Sequence, residues 1–365
     1  MENLRLDHLN SEEQRQIRNI CTDYLDLFTF KTEPLSQTDS VSHTIPMSIT
    51  QTPIKVKPYR LPHSQQCEIN TQVQTMLKQG VIEPSSSAWN SPILLVPKKA
   101  DSSGEKKFRI VVDFRKINDA TLGDAYPLPN ITDILDQLGR SRYFTVLDLA
   151  SGFHQIPMDP TDAEKTAFST PFGHYQYKRL PMGLKGAPAC FQRLMDRVLI
   201  GIQGVKCFVY LDDIVIYAEN LKEHEIKLKE VFNRLREHNL KLQPDKCEFL
   251  RKEVSYLGHL VTDKGIRPDP AKVKAVQDFP VPTNAKQIKM FLGLAGYYRR
   301  FIPKFSHIAK PLNDLLKKDV SFQWTSTQQL AFEELKNILT NDIILQYPDF
   351  TKDFILTTDA SGTAI

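Results

Sequence analysis

Two adjacent carboxylates, Asp212 and Asp213, interrupt an apolar run from Cys207 to Tyr217. The flanking Val, Ile and aromatic residues read as strand. Strand interiors do not bury two like charges without compensation, because desolvating even one carboxylate is costly. A tight turn between two strands accommodates both, with the aspartates at its tip and a cation facing them. An ordinary hairpin whose turn happens to read Asp-Asp is the plainer alternative. A second strand pattern, Tyr143 to Leu149, ends in a single carboxylate, Asp148, and is followed by the small residues Ala150, Ser151 and Gly152 and then Phe153.

Three aspartates at strand ends can hold two magnesium ions, a hard cation that takes carboxylate oxygens, keeps some water and is bridged by substrate phosphates. Two such ions roughly 3.5–4 Å apart stabilise the attacking and leaving oxygens of an in-line phosphoryl transfer. The chemistry suggested is attack of a primer 3′-hydroxyl on a nucleoside triphosphate. In such a reaction the protein positions parts and neutralises charge more than it makes covalent bonds.

Tyr210-Leu211-Asp212-Asp213 resembles the Tyr-X-Asp-Asp box of reverse transcriptases, and Leu147-Asp148 with Phe153 resembles the other half of their palm site. The segments Ser91–Lys99, Phe108–Asn118, Leu180–Pro188 and Tyr256–His259 carry the same resemblance, in order, over residues 76–261. The wording is similar to polymerases of gypsy-type long-terminal-repeat retrotransposons, relatives of the retroviral enzymes. The resemblance implies an α+β right-hand polymerase of fingers, palm and thumb, with an antiparallel palm sheet, a connection segment and a truncated ribonuclease H start. It implies an RNA-directed, and also DNA-directed, DNA polymerase using two Mg2+ ions, with Mn2+ as an alternative. The implied partners are an RNA template, a DNA primer-template duplex, dNTPs, and a second copy or the remaining Pol domains, with no membrane. The implied location is intracellular: a cytoplasmic virus-like particle, and the nucleus.

By the same resemblance, Asp148 and Asp212 are the shared metal ligands, Asp213 supports them, and the Leu149 carbonyl completes one shell. Phe153 is the sugar gate, a flat ring that leaves no room for a 2′-hydroxyl. Lys99 and Arg109 reach the incoming triphosphate; a guanidinium grips phosphate bidentately where an ammonium acts as a point charge. Lys98 competes with Lys99 for that place. Met182 stands where retroviral enzymes often carry glutamine, beside the nucleotide. Tyr210, Gly183, Lys185, Leu257, Gly258, Arg299 and Arg300 are the expected nucleic-acid contacts. Each also has a plainer reading, as core strand residue, solvated cation or ordinary turn. His154 reads as packing in the palm, and Cys207 as core.

Bulk properties set wide bounds. A chain of 365 residues, 41% hydrophobic and 25% charged, reads as a soluble protein of two or three domains. No apolar run reaches the length of a membrane span, and the N-terminus lacks an apolar signal core, which argues against secretion. Five scattered cysteines form no zinc spacing and read as reduced thiols. The net charge is only +4, but Lys286 to Lys318 carries eight basic residues against Asp314 alone, interleaved with Phe291, Tyr297, Tyr298, Phe301 and Phe305. Such a stretch suits a phosphate backbone, and equally a helix pair with an aromatic core and a basic solvated face.

Along the chain we expect an N-terminal extension (1–75), fingers and palm (76–261), a thumb and connection region (262–345) and a ribonuclease H-like start (346–365). A helix opens near Ser11 as cap. Thr32 to Pro62 runs extended over the surface, and Asn70 to Gly80 is helical. Lys98 to Lys107 joins two strands as a basic tip. Helices cover Ala187–Leu199 and Leu221–His238, 283–340 is a basic helical region, and a strand ribbon lies near Phe249–Val261. Ile355–Ser361 resembles the opening strand of a ribonuclease H domain, with Asp359 at its first metal position. Only six residues follow, so no ribonuclease H activity is expected, and the chain reads as a polyprotein fragment or truncated copy. Three rivals are a decayed copy that binds without turnover, a nuclease resting on Asp359, and an RNA-directed RNA polymerase. Tyr210-Leu211 and Phe153 speak against the last.

Overall fold

The computed structural model describes residues 4–29, 35–97, 108–139, 141–341, 343–348, 352–353 and 355. The expected roles of Lys98, Lys99 and Asp359, the basic tip and all of the final strand but Ile355 lie outside the described residues. The chain divides into two compact units, Met1–Asn130 with Tyr143–Arg251, and Ile131–Arg142 with Lys252–Ile365. The border at Arg251 falls short of residue 261, so most of the expected strand ribbon belongs to the second unit.

Helix α1 (Ser11–Asp23) opens on Asn10, whose side-chain oxygen accepts from the Glu12 and Glu13 amides while Glu13 reaches back to the Asn10 amide. This capping box takes up orphan donors, so the cap is Asn10 and not Ser11. Residues 35–62 run without regular structure, as expected, but not merely over the surface. Thr38, His43 and Ile45 are buried, and the Ile45 amide donates to Asp162 Oδ2 at 2.6 Å. Helix α2 (His63–Lys78) starts seven residues ahead of Asn70.

Strands β1 (Ile82–Pro84), β2 (Ile93–Pro97) and β3 (Phe108–Val112) follow, then the short α3 (Arg115–Ala120). β2 and β3 pair antiparallel, with Ile93 opposite Val112. Helix α4 (Ile131–Gln137) contributes to the second unit. Next come β4 (Tyr143–Asp148), β5 (Phe168–Thr170) and β6 (Gly173–Tyr177), the last two forming a sheet with β1 in the order β1-β6-β5. Helix α5 (Ala187–Val198), β7 (Cys207–Tyr210), β8 (Asp213–Ala218), α6 (Leu221–Glu237) and β9 (Glu248–Arg251) complete the first unit.

The central sheet has the order β7-β8-β4-β9 and is antiparallel throughout. Its strands are buried on both faces: Phe144, Leu147, Val209 and the consecutive Ile214, Val215 and Ile216 are all buried. Against it α6 turns Leu228, Val231, Phe232 and Leu235 inward, with the Phe232 ring 5.3 Å from Tyr24 and 5.9 Å from Phe28. Cys207 is core, as expected. The one polar residue buried in β4 is satisfied: Thr145 Oγ1 meets His224 Nε2 at 2.8 Å and accepts from the Leu250 amide at 3.1 Å.

The second unit opens with a meander, β10 (Glu253–Tyr256), β11 (His259–Thr262) and β12 (Gly265–Pro268). Helices α7 (Pro270–Gln277), α8 (Ala285–Tyr297), α9 (Phe305–Asp314) and α10 (Ser326–Thr340) follow. Val276, Ile288, Phe291, Leu312, Phe332 and Leu335 form its separate core, the Phe291 and Phe332 rings lying 4.5 Å apart. The interleaved aromatics are therefore largely core, while Arg299 and Lys304 face outward.

Candidate active site

Three features of the central sheet place the carboxylates. β4 runs up its middle, paired with β8 on one side and β9 on the other, and ends at Asp148. The register sets Asp148 directly opposite Asp213, the first residue of β8. β7 and β8 are joined by Leu211 and Asp212 alone, and Leu211 takes a left-handed φ of +55°. A two-residue hairpin of this kind brings Asp212 to the tip beside both partners. The expectation of a tight turn with aspartates at its end thus matches the backbone.

The electrostatics are those of a site short of positive charge. Burial, then repulsion from Asp212 and Asp148, pushes Asp213 up to about 6. Burial also raises Asp148, against the attraction of Lys246. Lys246 Nζ sits 3.1 Å from Asp148 Oδ1 and 3.4 Å from Oδ2. Among the described residues no three His, Cys, Asp or Glu side chains are drawn together closely enough to hold an ion by themselves. The donor set fits a hard divalent cation whose remaining ligands are water, a backbone carbonyl and substrate phosphate.

In the turn after Asp148, Gly152 stands where a side chain would crowd its neighbours. Ser151 turns the chain at φ +49°, and a Cβ on Gly152 would stand 3.0 Å from Phe191 Cζ and 3.3 Å from Leu149 Cβ. That turn delivers Phe153, half-buried, against Phe191 of α5, the ring centroids 4.9 Å apart and tilted 37°. His154 packs near Tyr177, its pKa driven down to about 4 by burial and then by Arg179, which suits a packing role.

The turn is held from below by Lys241–Gln243. The Ala150 amide donates to the Lys241 carbonyl and the Gln243 amide to the Asp148 carbonyl, both at 2.9 Å. Gln155, fully buried, ties the two together. Its Nε2 donates to the Ala150 and Lys241 carbonyls, each at 2.9 Å, and its Oε1 accepts from the Lys241 amide at 2.7 Å and Ser36 Oγ at 3.2 Å.

Of the other expected site residues, Arg109 lies exposed on β3 and Met182 is 55% exposed. Gly183 is fixed through its carbonyl, which accepts from Asn118 Nδ2 at 2.8 Å. Lys185 Nζ donates to the Thr121 carbonyl at 3.1 Å, so its ammonium is already engaged with the chain itself. Tyr210 ends β7, half-buried. In the second unit, Leu257 and Gly258 form the β10–β11 turn with φ of +48° and +70°, and Tyr297 and Tyr298 hydroxyls donate to their carbonyls at 2.8 and 2.6 Å. Arg299 is exposed, whereas Arg300 is paired with Asp136 at 2.8 Å.

Lys246, Gln155 and Gln192, whose Oε1 accepts from the Leu211 amide at 2.9 Å, escaped the sequence reading. Lys246 follows Gln-Pro-Asp in a loop with no periodic signal. Gln192 had one: it is a polar residue inside the buried run Ala189–Leu194 of α5, broken outward only at Arg193.

An antiparallel sheet with a strand-end aspartate facing an Asp-Asp hairpin is the palm of a right-hand nucleotidyl polymerase. The profile of the family "Reverse transcriptase (RNA-dependent DNA polymerase)" matches residues 96–261, and that of "RNase H-like domain found in reverse transcriptase" matches 324–365, taking in α10. The chain is 48% identical to the retrovirus-related Pol polyprotein from transposon 297 of Drosophila melanogaster, over 99% of this chain and 34% of the relative. To the corresponding polyprotein from transposon gypsy it is 44% identical, over 81% of this chain and 30% of the relative. Among solved structures it superposes on a foamy viral protease-reverse transcriptase in complex with double-stranded DNA at TM-score 0.84 and 29% identity, covering 94% of this chain and 59% of that one. Residues 96–261 are a reverse transcriptase domain, and the chain belongs with the Pol polyproteins of gypsy-type transposons. It spans about a third of the length of those relatives.

Proposed function

We propose that the chain is an RNA-directed DNA polymerase that also copies DNA, extending a primer 3′-end with dNTPs for retrotransposon replication. The observation that carries this reading is the register of Asp148 against Asp213, one residue from Asp212 at the hairpin tip. Support comes from solved relatives, described as foamy viral protease-reverse transcriptases in complex with an RNA/DNA hybrid and with double-stranded DNA.

In this reading Asp148, Asp212, Asp213 and the Leu149 carbonyl hold two divalent cations, magnesium or manganese. When bound, these supply neutralisation of the triphosphate and of the developing charge on the attacking and leaving oxygens. The primer 3′-oxygen forms its bond to the α-phosphorus while the bond to the β-phosphate bridge breaks, and pyrophosphate leaves. Arg109, with Lys99, grips the triphosphate. Phe153, backed by Phe191, closes the space that a ribose 2′-hydroxyl needs. Met182 borders the nucleotide without the amide contact a glutamine would give. Tyr210, Gly183, Lys185, Leu257, Gly258, Arg299 and Arg300 contact template or primer.

Primer extension on an RNA template with dNTPs and magnesium tests the reading. Wild type extends and Asp212→Asn does not. A folded wild type that binds primer-template without extending it would favour a binding role instead.

A further inference from the structure

The turn that carries Asp212 is held by a side chain on another element. Leu211, between Tyr210 and Asp212, adopts a left-handed φ of +55°, a conformation that β-hairpins normally reserve for glycine or asparagine. Such a residue persists only where its surroundings over-determine it. Here its amide donates to Gln192 Oε1 at 2.9 Å. Gln192 lies on α5 and is fully buried, so water is not the alternative partner.

The amide's other end is committed too. Gln192 Nε2 donates to Asp196 Oδ1 at 2.9 Å, and Asp196 Oδ2 accepts from the Tyr126 hydroxyl at 2.6 Å. Tyr126 is itself fixed. Its amide donates to Asp124 Oδ1 at 2.9 Å, and the Arg193 guanidinium sits 4.7 Å from its ring centre while binding both Asp124 oxygens at 2.9 and 2.8 Å. The chain of bonds has one direction. A carboxylate can only accept, so Asp196 forces the Gln192 NH2 toward itself and leaves Oε1 to face Leu211. A flipped amide would set donor against donor at one end and acceptor against acceptor at the other.

We propose that Gln192 is a positioning residue for the catalytic turn, with Asp196 and the Tyr126 hydroxyl setting the orientation of its amide. The inference rests on the polymerase reading for its meaning. Its mechanical content, control of the Asp212 pose, can be measured apart from turnover.

The test exchanges the polarity of the Gln192–Asp196 pair. Gln192→Glu keeps an acceptor for Leu211 but sets two carboxylates against each other. Adding Asp196→Asn restores a donor, since the new amide can donate to the carboxylate introduced at position 192 and still accept from Tyr126. Single-nucleotide incorporation is measured together with Mn2+ affinity by electron paramagnetic resonance, after thermal unfolding confirms that each variant is folded. We expect Gln192→Glu to lower kcat by about tenfold with little change in the KM for dNTP, and to weaken Mn2+ binding several-fold. The double variant recovers most of both. Tyr126→Phe, a milder change that removes one oxygen, lowers kcat by about two- to fivefold.

A folded Gln192→Glu with wild-type kcat and Mn2+ affinity overturns the inference and leaves the polymerase reading standing. A double variant no better than the single also overturns it. If wild type itself fails to extend, the polymerase reading falls, and the Mn2+ measurement alone then decides the inference: loss and recovery support it, no change overturns it.

Discussion

Lys246 Nζ lies 3.1 Å from Asp148 Oδ1, so the carboxylate at the end of the central strand already shares a cation supplied by its own chain. The lysine is more than half exposed and the aspartate a quarter exposed. Its attraction opposes the burial that raises Asp148, and it lowers Asp213 as well. A fixed positive charge there competes with any divalent ion for the same oxygens.

Lys246→Ala should therefore tighten Mn2+ binding in the absence of nucleotide by several-fold, as removal of a like charge favours the cation. A titration followed by electron paramagnetic resonance reads this directly. Weaker binding in the variant would mean that Lys246 serves to hold Asp148 in its pose.

Phe153 gives a prediction about the sugar. It stands on Phe191 with a 4.9 Å ring separation, so its plane is not free to retreat. Phe153→Val should narrow the preference for dCTP over CTP, judged by kcat/KM, by about a hundredfold or more. The loss of ring contact should lower stability by about 1–3 kcal/mol. Unchanged discrimination in a folded variant would remove Phe153 from the gate.

How much of this was legible beforehand varies with the kind of information involved. Asp148, Asp212 and the flanking strands were visible because an apolar run broken by carboxylates is a local signal. The antiparallel partners of β4 were not: it pairs with β8 and β9, strands some seventy and a hundred residues downstream along the chain. The helix from Leu221 was legible from its apolar spacing, but the start of α1 was displaced by one residue because Asn10 competes with Ser11 for the cap. Thr38, His43 and Ile45 looked like surface because their segment is rich in turn formers, yet their backbone is bonded into the core. Lys246 and Gln155 act through contacts with distant segments, which no spacing rule reports; Gln192 left one trace, a polar residue within the apolar run of its helix.

Gln155 illustrates the cost of that invisibility. It bonds four groups from a fully buried position, so Gln155→Leu would leave the Lys241 amide and the Ala150 and Lys241 carbonyls short of partners. We expect a loss of about 2–4 kcal/mol in unfolding free energy, measured by urea titration of variant against wild type. A neutral substitution would show that the turn after Asp148 is held by its backbone bonds alone.

Acid should weaken the first unit through histidine. Burial drives His43, His154 and His224 each down to about 4 from an ordinary 6.5. Below pH 6.5 the unfolded chain takes up protons that the folded chain refuses. Stability is thus fully present above that pH and falls on the way to about 4, by up to about 1.4 kcal/mol per pH unit for each histidine. Thermal unfolding between about pH 7.5 and 5 should show the midpoint dropping with acid. Replacing His224, bonded to Thr145 in the central strand, with glutamine should flatten the slope. A midpoint indifferent to pH in that window would contradict the assignment of these histidines as buried and neutral.

In the proposed reaction, nucleotide addition rests on Asp148 facing the Asp212-Asp213 hairpin. The sharpest test is single-turnover incorporation of one dNTP on an RNA template, comparing wild type with Asp148→Asn at matched primer-template occupancy. The rate of incorporation should fall by about a thousandfold or more, with primer-template affinity nearly unchanged. Incorporation by Asp148→Asn at a rate close to wild type would contradict the role given to this carboxylate.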